Sequence, residues 1–441
     1  MTDEARILQG MRDWLPRRNR LRSWVTGELR TTFELFGFEP LDTPALEYGS
    51  TLKGKYGEEA DRLIYQFIDR GGRAVGLRYD LTVPLARVVA SYPELPRPFK
   101  RYQIAPVWRA ERPQRGRYRE FTQCDVDTVG TTSRLADAEI ITVISAGLER
   151  LGLPDYTIRL NNRKILQGVA AEVGAEGERA VELFRALDKL DKIGPAGVTA
   201  ELVESGWNSD TIDRTLEATA VQGTPSEALA DLRRRYASNK RAIEGITETE
   251  AVVAALAALG VSDHRLRVDL TMIRGLDYYT GPIYEVVVEQ PRIGSVSGGG
   301  RYDGLIGIFS KQAIPATGGS FGLERIIDVI EDQKLEPAAL ARTVSEVLVT
   351  VFSAETQAAS LALARDLRAN DIRTEISLVD ERLSNQLRSA SRRGIPTTII
   401  LGPDEVAAGS VVVRDMTTGN QSTIARADVA AIAAAIRSGT T

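Results

Sequence analysis

The segment from Arg109 to Phe121, RAERPQRGRYREF, places five arginines within eleven residues of a chain whose formal net charge is −4. Pro113 and Gly116 favour an exposed turn inside this segment. Arginine rather than lysine gives planar, bidentate recognition of phosphate. A hairpin that presents arginines beside aromatic rings suits a nucleotide or the end of a nucleic acid, whereas the plain alternative is a solvated loop.

Three other segments combine polar chemistry with glycine. They are RGLDYYTG from Arg274, GGGRYDG from Gly298 and GGSFGLER from Gly318. None fits the Rossmann glycine pattern, and no P-loop motif occurs in the chain, so phosphate would be bound in another way. Strand geometry would let only one tyrosine of the adjacent pair enter a given pocket.

The acids form a further set of candidates. Asp80 in LRYDLT and Asp127 in QCDVD lie on predicted strands, and Gln123 precedes Asp127 by four residues on the same strand face. A single strand aspartate is more commonly an edge or turn residue than a ligand contact. None of these signals names an activity by itself.

Composition excludes several kinds of site. The chain has one cysteine, Cys124, and one histidine, His264. These counts rule out a disulfide framework, a cysteine-cluster zinc site, the H-E-x-x-H site and the H-x-G-H signature of class I synthetases. An enzyme of this composition would work with arginine, carboxylates and tyrosine. No apolar stretch suits a signal peptide or membrane span, so a cytoplasmic location without membrane association is expected.

The surrounding patterns predict the elements that position these residues. A chain of 441 residues exceeds one hydrophobic core. Helical spacing covers residues 21–36, and short aromatic, β-branched runs then predict an antiparallel sheet whose long hairpin carries the arginine loop. A helix is expected over 137–151, and the pattern of residues 166–259 predicts an almost entirely helical region. Strands resume near residue 265, and after a polar linker near residue 333 strands and helices alternate, which predicts a small α/β domain with a mostly parallel sheet.

Taken together and in this order, the motifs resemble those of class II aminoacyl-tRNA synthetases, and specifically the histidyl-tRNA synthetase family. GFEPLDTPALE resembles class motif 1, with Pro44 at a dimer interface. VWRAERPQRGRYREFTQCDVDTVG resembles motif 2, and GGSFGLERI resembles motif 3. RGLDYY and GGRYDGL are similar to the signatures specific to histidine, and the likeness extends over nearly the whole chain.

The resemblance implies a fold and a division of the chain. The expected fold is an α+β class II synthetase catalytic domain (mostly antiparallel sheet flanked by helices) with a helical insertion, plus a C-terminal α/β anticodon-binding domain. Catalytic parts are expected at 1–165 and 261–332, the insertion at 166–260, a linker at 333–345 and the anticodon-binding domain at 346–441. Motif 1 implies a homodimer.

The implied reaction has two steps. L-Histidine attacks the α-phosphate of ATP, which is bound as its Mg²⁺ complex, and the terminal ribose of tRNA(His) then takes the histidyl group. Charge growing on phosphorus must be stabilised while two ligands are oriented. The resemblance implies no tightly bound cofactor, and it assigns no metal to the protein's side chains.

The resemblance also assigns roles to individual residues. Catalysis is expected from Arg274, Arg109 and Arg325, with Arg109 and Arg274 at the α-phosphate and Arg325 at the γ-phosphate. ATP would also contact Glu111 and Phe121, which match the residues at adenine. The histidine contacts beyond Arg109 and Arg274 are expected from Asp80, Thr82, Gln123, Asp127, Tyr278 and Tyr279. The tRNA contacts are expected from Gln114, Arg115, Arg117 and Arg119, of which the last three would project with the loop.

Two features depart from the family pattern. Asp80 replaces the glutamate of one bacterial type, and LRYDLT resembles the form of eukaryotic and archaeal members, which predicts a longer or a water-mediated contact to the amino group. RLSNQLRSASRR carries arginine and serine where the family frequently has lysine.

Three alternatives remain open at this level. The first is a paralogue that activates histidine for an acceptor other than tRNA. The second is a regulatory subunit of ATP phosphoribosyltransferase, which commonly lacks the last domain and degrades RGLDYY. The third is a binding module without catalysis, which would be expected to lose Arg274 or Arg325.

Overall fold

The computed structural model describes residues 5–55, 61–273, 278–310, 312–337, 340 and 342–438. Arg274 is therefore outside the described residues. The chain divides into two compact units, Met1–Asp13 with Arg22–Leu335, and Trp14–Leu21 with Glu336–Thr441. Helix α1, Pro16–Leu35, contributes residues to both.

The first unit is built on an eight-stranded sheet. Its strands are β1 (Glu39–Pro40), β5 (Phe99–Trp108), β6 (Glu120–Val129), β7 (Thr157–Asn162), β8 (Leu266–Val268), β9 (Pro282–Val287), β10 (Ser295–Arg301) and β11 (Ala316–Gly322). Their order is β1-β5-β6-β11-β10-β9-β7-β8. The outer pairs β1–β5 and β7–β8 are parallel and the rest antiparallel, which confirms the mostly antiparallel sheet.

The predicted hairpin, β5 and β6, forms the second and third strands of this sheet. Strands β5 and β6 pair over their full lengths, from Phe99 opposite Val129 to Trp108 opposite Glu120. The indole N–H of Trp108 donates to the Glu120 carboxylate at 2.8 Å, which ties the two strands together where the arginine loop begins.

A smaller sheet precedes the hairpin. It has the order β2-β4-β3 and consists of Leu46–Tyr48, Ala74–Leu77 and Gln66–Ile68 respectively. The short helix α2, Gly49–Leu52, follows β2. The runs RLIYQFID and RAVGLRYD, which are predicted to be strands of the main sheet, therefore belong to a separate sheet, and their strands are shorter than these runs.

Helices surround the large sheet. Besides α1 and α2, the helices of the first unit outside the insertion are α3 (Thr82–Ser91), α4 (Arg134–Arg150) and α11 (Leu323–Gln333). The Ser133 hydroxyl accepts the Leu135 N–H and caps α4. Two single 3₁₀ turns lie at Asp263–Arg265 and Ile306–Ile308.

The region between β7 and β8 is helical, as the sequence predicts. Its helices are α5 (Arg163–Glu172), α6 (Glu178–Leu187), α7 (Leu190–Glu204), α8 (Ser209–Thr219), α9 (Pro225–Arg235) and α10 (Lys240–Ala258). A core that includes Leu183, Val198 and Trp207 is buried among them. Because β7 and β8 are neighbours in the large sheet, the helices form an insertion.

The second unit has a five-stranded sheet of its own. Its strands are β12 (Val347–Val349), β13 (Thr374–Ile376), β14 (Thr397–Ile400), β15 (Ser410–Asp415) and β16 (Gln421–Ala425), in the order β13-β12-β14-β15-β16. Its helices are α12 (Ala354–Arg368), α13 (Leu383–Arg393), α14 (Pro403–Ala408) and α15 (Val429–Ser438).

The prediction of a mostly parallel sheet in this unit was wrong. Two strand pairs are parallel, but β14–β15 and β15–β16 are antiparallel. The turn after Asp415 joins β15 directly to β16 as a hairpin, with the Asp415 carboxylate accepting the Thr417 and Thr418 N–H groups. Within the described part of the chain, no helix is long and apolar enough to cross a membrane.

Candidate active site

Arg109 lies where β5 leaves the sheet and the loop begins. Its backbone N–H donates to the Arg119 carbonyl at 2.9 Å and closes the base of the hairpin. Its guanidinium lies 4.2 Å from the ring centre of Tyr79 and 5.0 Å from that of Phe121, and Nε donates to the Tyr79 carbonyl at 3.2 Å. Two aromatic faces and a carbonyl therefore fix the direction of this cation.

Arg115 and Arg117 project from the loop. Gln114 and Arg117 exchange backbone hydrogen bonds at the turn, and the side chains of Arg115 and Arg117 are 68% and 51% exposed. Their only ion pairs among the described residues are long ones, with Asp332 at 3.4 Å and Glu111 at 3.7 Å respectively. Such surface pairs are weak, so both cations are accessible to an anionic ligand.

The prediction that Arg119 projects with the loop was wrong. Its Nε donates to the Glu111 carbonyl at 3.1 Å, and Nη1 donates to the Gln9 carbonyl at 3.2 Å. Its backbone N–H donates to the Gly10 carbonyl at 2.8 Å. The N-terminal segment accepts these donors, so Arg119 lies at the base of the hairpin.

Arg325 extends from the first turn of α11 toward the same loop. Nε donates to the Gly116 carbonyl at 2.8 Å, and Nη1 donates to the Ser295 carbonyl at 2.6 Å. The neighbouring Glu324 is buried and accepts the Thr122 N–H at 3.0 Å. Burial raises the pKa of Glu324 above its ordinary value.

A cavity of about 230 Å³ lies between these elements. Six predicted residues line it: Arg109, Glu111, Arg117, Phe121, Gln123 and Arg325. The other lining residues are Gly116, Tyr118, Ser295, Val296, Ser297, Gly298, Ser320, Gly322 and Glu324. The cavity thus brings together the two arginines expected at the triphosphate and the two residues expected at adenine. Asp80, Thr82, Asp127, Tyr278 and Tyr279 are not among its lining residues.

A buried group of acids lies next to the cavity. Asp125 and Asp127 follow Gln123 on one face of β6, and Arg101 of β5, which is fully buried, lies 2.8 Å from Asp127. Burial raises the pKa of Asp125 to about 7, although Arg101 opposes the shift and the charge of Asp127 adds to it. Burial also raises the pKa of Asp127, with Arg101 and a hydrogen bond from Tyr302 opposing the rise.

Asp127 is held in place from two further directions. The Tyr302 hydroxyl donates to its Oδ1 at 2.5 Å. Gly318 of β11 lies directly opposite in the sheet, and a Cβ atom there would be 1.8 Å from the same oxygen. Only glycine at this position leaves room for the carboxylate, which explains the first glycine of the GGSFGLERI segment.

Asp80 lies in the turn between β4 and α3, not on a strand as predicted. Its Oδ1 accepts the backbone N–H groups of Thr82 and Val83 at 3.2 and 3.0 Å, and its Oδ2 accepts the Tyr278 hydroxyl at 3.4 Å. The Asp80 carboxylate therefore caps the first turn of α3 and also accepts a hydrogen bond from Tyr278. Thr82 is the first residue of that helix and is buried.

Tyr278 and Tyr279 precede β9, so the alternation expected of strand residues does not apply to them. Their rings meet edge to face with centres 4.9 Å apart, and both pack against the same core. The Tyr278 ring also lies 5.9 Å from the ring of Tyr302. The two tyrosines therefore pack together and form part of the wall around the buried acids.

Sequence reasoning missed three residues of this site, namely Asp125, Arg101 and Tyr302. Asp125 could have been found, because it lies between Gln123 and Asp127 with the two-residue spacing of one strand face. Tyr302 belongs to the GGRYDGL signature, but its partner is 175 positions away. Among the residues that the structure describes, no group of three His, Cys, Asp or Glu is arranged to hold a metal ion.

The antiparallel sheet, with an arginine-bearing hairpin facing a glycine-rich strand that leads into a helix, defines a class II aminoacyl-tRNA synthetase. Residues 10–326 match the family model described as histidyl-tRNA synthetase, and residues 346–436 match that of an anticodon binding domain. The chain belongs to the histidyl-tRNA synthetase family.

Curated and solved relatives agree with this family. A histidine–tRNA ligase of Aeropyrum pernix is 46% identical over 417 residues, covering 94% of each chain. That of Gloeobacter violaceus is 40% identical and covers 96% of each. The crystal structure of histidyl-tRNA synthetase from Nostoc sp. PCC 7120 superposes with a TM-score of 0.84 at 30% identity, covering 98% of this chain and 99% of that one.

Proposed function

We propose that the chain is a histidine–tRNA ligase that activates L-histidine with ATP and transfers the histidyl group to the 3′ end of tRNA(His). The observation that carries this proposal is the cavity that Arg109, Arg325 and Gln123 share. It joins the two cations that we propose to bind phosphate to a polar group on the sheet beside the buried acids. The family membership and full-length likeness to histidine–tRNA ligases support the same activity.

The geometry suggests how the first step proceeds. Arg109 is fixed between Tyr79 and Phe121, so its charge is already oriented before substrate arrives. Such preorganised charge stabilises the oxygens of a pentavalent phosphorus. Arg325 holds the far side of the cavity, where the γ-phosphate of ATP would lie, and the Phe121 ring offers a face for adenine. Mg²⁺ enters with ATP as part of the substrate.

We assign histidine to the acid group. Its amino group would contact Gln123, Asp80 and Thr82, and its imidazole would lie among Asp127, Tyr278 and Tyr279. A carboxylate at one ring nitrogen and a hydroxyl at the other would reject side chains that lack both. Arg274, outside the described residues, is proposed as a further cation at the α-phosphate.

The tRNA contacts are assigned to the exposed loop and to the second unit. The acceptor end of tRNA would contact Arg115 and Arg117, together with Gln114 in the loop between the two strands. Residues 346–441 would bind the anticodon. Arg119 would support the loop from its base. We retain the division into catalytic parts at 1–165 and 261–332, an insertion at 166–260 and a linker at 333–345.

Charging of total tRNA with each of the twenty amino acids tests the function. We expect histidine alone to be accepted, and only by tRNA(His). Adenylation of histidine without charging would instead favour the paralogue with another acceptor. Nothing in the comparisons favours that paralogue or the regulatory subunit. The match of residues 346–436 to an anticodon binding domain argues against the subunit, which commonly lacks this domain.

Pyrophosphate exchange tests the assigned cations separately. Arg274→Ala is expected to nearly abolish histidine-dependent ATP–pyrophosphate exchange while circular dichroism shows an intact fold. Unchanged exchange would remove Arg274 from the reaction.

We also propose a homodimer, supported by the exposed apolar side chains of the small sheet, and a cytoplasmic location, where translation uses charged tRNA.

A further inference from the structure

Gln123 hydrogen-bonds to both Asp125 and Ser320 beside the cavity. Gln123 and Asp125 lie on one face of β6, and Ser320 lies opposite Asp125 on β11. The Gln123 Nε2 donates to Asp125 Oδ1 at 3.3 Å and to Ser320 Oγ at 3.0 Å. Both hydrogens of the Gln123 amide are therefore used.

The other end of the amide has no such partner. Gln123 Oε1 is buried, and no donor among the described residues hydrogen-bonds to it. Gln123 and Ser320 both line the cavity, whereas Asp125, only 2% exposed, does not. A buried acceptor without a donor is uncommon in folded proteins and needs a donor from a ligand or a bound water. An ammonium group, with three N–H donors, is a suitable one.

The charge of Asp125 determines which end of the Gln123 amide it holds and which end is left for a ligand. An ionised carboxylate can only accept hydrogen bonds, so it selects the amide orientation that presents Nε2. The reversed amide would place Oε1 against a carboxylate oxygen. Asp125 acts on the substrate through Gln123 and does not touch it.

We infer that Asp125 is a positioning residue for amino-group recognition: with Ser320 it holds the Gln123 amide so that Oε1 faces the α-ammonium of histidine. The inference rests on the proposed contact between Gln123 and that ammonium group. It adds a residue to the site that none of the sequence motifs assigned.

Protonation of Asp125 would weaken its hold on the orientation of the Gln123 amide. Five charged or titratable groups face Asp125. Two are cations, Arg78 directly after β4 and Arg101 on β5. The others are Asp80 before α3, Asp127 on β6 and Tyr302 after β10. Burial and the neighbouring acids raise the pKa of Asp125 to about 7. A protonated carboxyl can donate as well as accept, so it tolerates either orientation of the amide. Recognition of the α-ammonium group of histidine should therefore be complete above pH 7 and decrease as the pH falls through 7.

The decisive variant is Asp125→Asn, which keeps the shape and removes the charge. In histidine-dependent ATP–pyrophosphate exchange at pH 8, we expect the KM for histidine to rise about tenfold, since hydrogen bonds to charged groups are the strong ones. The kcat and the KM for ATP should stay within about threefold. Ser320→Ala should raise the KM for histidine in the same direction and by less.

Thr128→Val is the matched control, because Thr128 is buried on the opposite face of β6. It should leave the KM for histidine unchanged. A second readout uses imidazolepropionic acid, which lacks the α-amino group, as a competitive inhibitor. Its inhibition constant should be the same for the wild type and Asp125→Asn; an equal loss for inhibitor and histidine would show that Asp125 only maintains the pocket.

The pH profile separates positioning from a general loss of structure. The ratio of the KM of Asp125→Asn to that of the wild type should be largest at pH 8 and approach one at pH 6. Titration of the substrate imidazole affects both enzymes equally and cancels in this ratio. A ratio that does not change with pH would overturn the role of the charge.

Gln123→Ala distinguishes failure of the inference from failure of the site assignment. If Gln123→Ala raises the KM for histidine but Asp125→Asn does not, the assignment stands and the inference is overturned. If Gln123→Ala has no effect on the KM, the proposed contact with the ammonium group is wrong, and the inference falls with it. Should Asp125→Asn fail to fold, an unchanged KM in Ser320→Ala overturns the inference.

Discussion

Asp127 combines deep burial with two fixed partners, Arg101 and Tyr302. The guanidinium favours its charged form, while burial disfavours it, and the net result is a raised pKa. The Tyr302 hydroxyl supports the charge with a short hydrogen bond, so a residue of the GGRYDGL signature acts on the proposed imidazole site without reaching the cavity.

Replacing Tyr302 by phenylalanine should weaken histidine binding. The variant removes one donor from a buried carboxylate, which should cost about 1–3 kcal/mol of stability and raise the KM for histidine roughly tenfold. Without this hydrogen bond the pKa of Asp127 rises further, so the defect should grow as the pH falls from 8 to 6. Exchange kinetics at several pH values and urea unfolding measure both effects.

Tyr156→Phe is the control for this prediction. Tyr156 is also buried and hydrogen-bonds to Ser145 at 2.7 Å, between α4 and the turn before β7. It should lose stability while the KM for histidine stays at the wild-type value. Equal changes in KM for the two variants would contradict a specific role for Tyr302.

The predictability of individual residues depended on how near in sequence their partners are. Gln123 and Asp127 could be paired because strand geometry alone puts them on one face. The link from Tyr302 to Asp127 could not, since it depends on how β10 and β11 are placed in the sheet. The position of Arg119 was predicted wrongly because its acceptors belong to the distant N-terminal segment.

At the scale of elements, the N-terminal segment supports the arginine loop. The Gly10 and Gln9 carbonyls accept donors from Arg119, and the Arg12 guanidinium lies 3.6 Å from the ring centre of Tyr118. The same guanidinium is 3.9 Å from Glu324, which lines the cavity. The segment thus connects the loop to the wall of the proposed ATP site.

Gly10→Ala should disturb the loop. Gly10 has a φ of +85°, and an added Cβ would lie 2.8 Å from Pro113 Cγ and 2.9 Å from Arg119 Cγ. The strained backbone should lower stability by about 1 kcal/mol. Displacement of the loop should in addition lower kcat/KM for tRNA charging by about fivefold, for which about 1 kcal/mol of lost positioning suffices.

Gly152→Ala isolates the backbone contribution. Gly152 has a φ of +76°, and an added Cβ would meet nothing within 4 Å. It should show the same loss of stability in thermal unfolding with unchanged charging. If both variants charge tRNA normally, the contact between the N-terminal segment and the loop is not functional.

Elements were predictable where one local pattern defined them. The hairpin, the helical insertion and the glycine-rich strand leading into a helix follow from alternation, helical spacing and turn residues. The sequence analysis predicted no strand at β16 and did not predict the separate sheet of β2, β3 and β4, because strand partners depend on contacts between distant segments. The exposed and polar QSTIA run of β16 also lacks the pattern of a buried strand.

At the scale of the whole molecule, the small sheet presents an apolar face. Tyr48, Val75 and Phe67 lie side by side across its three strands, and Leu46 lies on the same face as Tyr48. Tyr48 and Phe67 are 55% and 47% exposed. Exposed aromatic residues grouped on one face are typical of a protein interface, and Pro44 of motif 1 lies just before this sheet, exposed to solvent.

Sedimentation should therefore show a dimer of twice the chain mass of 48.2 kDa. Phe67→Glu places a charge in the centre of this face and should shift the protein toward the monomer, since an unpaired charge in an interface is costly. Val181→Glu is the control, because Val181 of α6 is similarly exposed, at 45%. A dimer that persists in Phe67→Glu at micromolar concentration would place the interface on another surface, and a monomeric wild type would contradict the dimer itself.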